Sequence, residues 1–73
     1  MALRKTTIAK EALRQLEGIR ELAKEERSWA HHANSANNYM KAVVAVGWPL
    51  PEWIIRDWRF LRTQGWSCNN ANL

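Results

Sequence analysis

Cysteine is almost missing from this chain. Its one thiol, Cys68, rules out an internal disulfide framework and a multi-cysteine zinc site, and it fits a reducing cytoplasm. There is no apolar run of the roughly 18 residues a membrane span needs. The charged N-terminus lacks the apolar stretch of a signal peptide. No glycine-rich phosphate loop occurs. A nucleophile with a positioned histidine is also missing, because Cys68 lies far in sequence from His31. Adjacent His31 and His32 would point about 100° apart on a helix, which is poor geometry for chelating one metal. No cofactor is expected, and the chain reads as non-enzymatic. Charge of one sign is not concentrated either. Eleven Lys/Arg stand against seven Asp/Glu, a net charge of +4, and the excess is spread without a polybasic tract. That charge steers a protein towards nucleic acid or acidic protein surfaces.

Tryptophan is what the chain has in excess: five in 73 residues. Trp48, Trp53, Trp58 and Trp66 fall in WPLPEWIIRDWRFLRTQGW, with Phe60 and three arginines. Pro51 suits a first helical position, Glu52 the positive end of the helix dipole, and Gly65 a helix stop. The pattern predicts a helix over 51–64, with Ile54, Trp58 and Leu61 on its core face. Arg56, Arg59 and Arg62 fall together on the other side. Asp57 falls inside the apolar arc and calls for a partner.

Before it, residues 1–5 form a basic arm. Thr6 or Thr7 is the expected cap of a helix over 7–27, whose stripe is Ile8, Ala12, Leu16, Ile19 and Ala23, widened by Leu13 and Leu22. A polar joint follows over 28–35, with Ser35 as the expected cap of an apolar helix over 36–46, although an unbroken helix to Val46 is an alternative. Gly47 ends that helix, and Trp48–Pro51 forms a stiff link. Residues 67–73 are expected to be a flexible tail. The fold class is therefore all-α: one small domain, 1–73, built as a helical bundle of a long N-terminal amphipathic helix, a short apolar helix and a Trp-rich C-terminal helix.

A small domain has limited interior in which to hide five tryptophans, and Trp and Arg are enriched where interfaces concentrate their energy. The expected partner-binding residues are Trp53, Arg56, Arg59, Arg62 and Trp66, with Leu3, Arg4 and Lys5 of the arm. Two resemblances bear on the partner. IIRDWRFLRTQGWSC resembles the end of a winged helix-turn-helix domain, where a recognition helix runs into a Leu-Arg-x-x-Gly-aromatic step; Leu61, Arg62, Gly65 and Trp66 match it. This implies DNA binding by the third helix. In length, net charge, basic arm and exposed aromatics, the chain also resembles phage-encoded host-takeover proteins, among them regulators of host RNA polymerase. That resemblance implies binding to the large polymerase subunits in the host cell cytoplasm, with transcription inhibition or antitermination by occlusion. An anti-CRISPR-type inhibitor and a structural homo-oligomer, such as a homodimer, are the remaining alternatives.

Overall fold

The computed structural model describes residues 4–67; Leu3 of the arm, Cys68 and most of the expected tail lie outside the described residues. Four helices follow one another: α1 (Lys5–Glu26), α2 (Ala33–Val46), α3 (Glu52–Arg56) and α4 (Trp58–Thr63). No strand occurs among the described residues. The fold is the all-α bundle expected, and α1 and α2 are separate helices.

α1 buries Ala9, Ala12, Leu16 and Ala23, and α2 buries Ala33, Ala36, Met40 and Val43. Steps of three, four and seven place each set along one face of its helix, the spacing of a helix–helix seam. Thr7, Ile8, Glu11 and Ala12 lie around one hollow with Tyr39 and Ala42. The start of α1 therefore sits beside the later half of α2, and the pair is an antiparallel hairpin. Most seam residues are alanines, which lets the backbones approach closely. This is why Ala9, rather than Ile8, faces inward: Ile8 is 38% exposed and Leu22 43%.

Local boundaries depart from the sequence reading in three places. α1 begins at Lys5, with Arg4 as an extended N-cap that offers no side-chain bond. Thr6 and Thr7 lie inside the first turn, because the seam through Ala9 and Ala12 carries the helix past them and lysine favours helix more than threonine. α2 begins at Ala33, and Ser35 caps nothing. Burying Ala33 and Ala36 outweighs the turn preference of the Asn/Ser run, since tertiary packing supplies most helical stability. The expected third helix is interrupted at Asp57 (φ −99°, ψ 13°), and Pro51 is its extended N-cap rather than its first helical residue. A regular helix would press the Asp57 carboxylate into the apolar arc, which is costly. The break turns it towards Arg56 while the chain path continues, with Asp57 N–H donating to the Trp53 carbonyl at 3.0 Å and Leu61 N–H to the Asp57 carbonyl at 2.9 Å.

One closing device recurs at three helix ends. The N–H of Ser28, Trp48 and Trp66 reaches back to the carbonyl of Ala23, Val43 and Leu61, at 3.0, 3.1 and 3.0 Å. Each pair is five residues apart and brackets a left-handed residue, the Schellman closure. Gly47 (φ 82°) and Gly65 (φ 93°) meet that demand easily, whereas Arg27 (φ 53°) does not. Arg27→Gly is expected to raise stability by about 0.5–1 kcal/mol, the relief of left-handed strain less the added unfolded-state freedom. An unchanged urea midpoint would show that this end carries no strain.

The joint over 27–32 is tied by the Glu26 carboxylate, which accepts from Ser28 Oγ at 3.2 Å and meets His32 Nε2 at 2.8 Å. The His32 bond holds the Glu26 carboxyl below its ordinary pKa. Glu11 is lowered likewise by Arg14, and Asp57 by Arg56. A carboxylate with a depressed folded pKa stabilises above its unfolded pKa and loses that contribution as pH falls through the folded value. The urea midpoint is therefore expected to drop between about pH 5 and pH 3, and less so in high salt because these groups are exposed. A flat profile would contradict the pairings.

Candidate partner-binding face

α3 and α4 form a layer laid on the joint end of the hairpin. Ile54 and Leu61 are fully buried, and Trp66 is 2% exposed. They complete one core with Leu16, Met40 and Val43, while Trp48, Trp53 and Trp58 pack partly buried against it. The Trp66 indole N–H donates to the Trp29 carbonyl at 3.0 Å. Its ring lies 5.8 Å from Trp29 and 6.3 Å from Trp53, and Trp29 meets Phe60 edge-on at 5.5 Å. Asn37 clamps the chain just beyond α4: its amide donates to the Gly65 carbonyl at 3.2 Å and its side-chain oxygen accepts from Ser67 N–H at 2.8 Å.

Two expected binding residues are thus engaged internally. Trp66 is core, a correction to its place on the partner face. A tryptophan just beyond the glycine of a Schellman closure is folded back over its own helix, where it can pack on Leu61. Trp53 is half-buried beneath the Arg20 guanidinium, 5.1 Å from its ring centre, and its indole nitrogen is buried with no acceptor. Arg20 thereby joins α3 to α1 through a cation–π contact.

The three arginines do not form one equivalent row. Arg56 is exposed, but its fork grips Asp57 through two bonds of 3.1 Å. That contact raises the Arg56 pKa and lowers that of Asp57, which also feels Arg56, Arg20 and Lys24 as nearby positive charges. Arg59 and Arg62 are exposed on α4, and no carboxylate among the described residues lies within 4.0 Å of either. Together with Thr63 they bound an open hollow of about 420 Å³. Large apolar side chains stand out on the same two helices: Ile55 is 55% exposed and Phe60 46%. Neither is among the residues that the sequence marks for binding, although on a regular helix Ile55 falls at the edge of the basic side.

Arg4 and Lys5 are exposed at the start of α1. From residue 5 to residue 20, where Arg20 touches α3, the helix advances about 22 Å. The arm and the α4 face are therefore separate surfaces. Leu3 lies outside the described residues.

No cluster of three or more His, Cys, Asp or Glu able to hold a metal occurs among the described residues, and none of their helices is long and apolar enough to cross a membrane. The Leu-Arg-x-x-Gly-aromatic step closes a helix of six residues here, with Trp66 N–H bonded to the Leu61 carbonyl. Comparison with protein families, curated proteins and solved structures finds no match. The class that fold and face define is a small helical bundle with a compact arginine-bearing surface.

Proposed function

We propose that the chain is a non-enzymatic regulator that occupies a site on a host macromolecular machine, with bacterial RNA polymerase as that machine. The outcome would be inhibition of initiation or antitermination, in the host cell cytoplasm. The observation that carries this reading is the exposed surface of α3 and α4, where two arginines have no carboxylate within 4.0 Å among the described residues and the same two helices expose Ile55 and Phe60. Arginine and aromatic side chains are enriched at the cores of protein interfaces. The mechanism is occlusion: the face covers an acidic patch that another factor uses. Arg4 and Lys5 are kept as a second, separate contact with the same large subunits.

The test is a tryptophan-emission titration with purified polymerase and, in parallel, with duplex DNA at physiological salt. Trp29 rests against Phe60, so occupation of the face is expected to alter its emission. A change that saturates with polymerase alone is the expected result. No change with polymerase counts against the reading, and a salt-sensitive change with DNA alone transfers it to nucleic-acid binding.

A further inference from the structure

Resting on the binding-module reading, the geometry points to a carboxylate-recognising site at Arg59 and Arg62, whose occupant is an acidic protein segment presenting two carboxylates. Of the seven arginines, Arg14 is held by Glu11 at 2.8 Å, Arg20 by Glu21 at 3.8 Å and Arg56 by Asp57 at 3.1 Å. Four remain without a carboxylate among the described residues. Arg4 and Arg27 flank opposite ends of α1; Arg59 and Arg62 alone share a helix, and α4 holds no acid of its own. They are one turn apart and bound the same hollow.

Thr63, the third described residue lining that hollow, offers no competing side-chain donor. Thr63 Oγ donates to the Phe60 carbonyl at 2.6 Å and accepts from Gln64 Nε2 at 3.3 Å. The donors available to an occupant are two planar forks, and a guanidinium matches a carboxylate through two parallel bonds.

A protein carboxylate fits better than a nucleic acid backbone for two reasons. Duplex binding draws on many neutralised phosphates, whereas this segment has two cations without a carboxylate among the described residues, a third already neutralised by Asp57, and Glu52 nearby in the chain. The exposed Ile55 and Phe60 also give an acidic segment's aliphatic side chains something to cover, and a phosphate backbone has no such use for them.

The probe is a synthetic helical peptide with glutamates one turn apart and interspersed leucines, compared with the same peptide carrying glutamine. Binding is followed by calorimetry. The glutamate peptide is expected to bind, and the glutamine peptide to bind at least about tenfold more weakly. Arg59→Ala with Arg62→Ala should weaken glutamate-peptide binding by about tenfold, whereas the equal charge loss of Lys10→Ala with Lys41→Ala, both exposed, should change it by less than about twofold. Equal loss in both double variants would mean diffuse charge attraction and overturn the site. So would equal binding of the two peptides, absence of glutamate-peptide binding, or duplex DNA binding more tightly through Arg59 and Arg62. The named machine fails independently: if the peptide binds and polymerase does not, the site stands and polymerase falls. If polymerase binds undiminished to the Arg59/Arg62 variant, the site falls.

Discussion

Trp66→Ala is expected to lower stability by about 3–5 kcal/mol, the usual cost of emptying a large aromatic site in a core. A domain of this length has about 4–11 kcal/mol in all, so the variant should be partly unfolded under mild conditions. The cost is concentrated because Trp66 makes several of the contacts between α4 and the joint at once. Its ring touches those of Trp29 and Trp53, its indole N–H holds the Trp29 carbonyl, and its backbone N–H closes α4 on Leu61. Trp66→Phe keeps a ring and loses the hydrogen bond, and it should fall between the two. A urea midpoint equal to the parent's would place Trp66 on the surface and undo the packing of α3 and α4 on the hairpin.

Leu16→Ala is the second large effect, at about 2–5 kcal/mol. Leu16 is the one large side chain among the fully buried residues of α1; its companions there are Ala9, Ala12 and Ala23. Alanines have no atoms to move into the space it would leave. Met40, also fully buried in α2, is the flexible neighbour able to fill part of it, which argues for the lower half of the range. Leu22→Ala on the same helix is the control. At 43% exposed it should cost within about 0.5 kcal/mol. Comparable losses at the two positions would mean that α1 is rotated from the face assigned to it.

The architecture was legible because periodicity reports burial. Ala12, Leu16 and Ala23 belonged to the predicted stripe and are buried, as are Met40 and Val43 of the second helix and Ile54 and Leu61 of the third. Gly47 was readable as a stop because few residues accept a left-handed turn. What was not legible depended on other parts of the chain. Ser35 and Asn37 look like turn residues locally, and only the alanine seam explains why the helix runs through them. Asn37's hold on Gly65 and Ser67 spans 28 and 30 residues and leaves no local signature. The tryptophan count places Trp53 and Trp66 on the partner face, yet Trp66 closes the core; counting aromatics does not reveal which of them a glycine turn folds inward. The arginine face was legible as a group of three. That Asp57 would bind Arg56, with Arg59 and Arg62 left without a carboxylate among the described residues, depended on the helix break.

Side-chain hydrogen exchange, read by nuclear magnetic resonance on the whole chain, tests the central claim most directly: the tryptophans hold the bundle from within and the α4 arginines face outward. The Trp66 indole proton is expected to be among the slowest to exchange, opening only with global unfolding. The Arg59 and Arg62 guanidinium protons should exchange at solvent rates. A Trp66 indole exchanging as fast as a surface group, or protected arginines at 59 and 62, would contradict that claim.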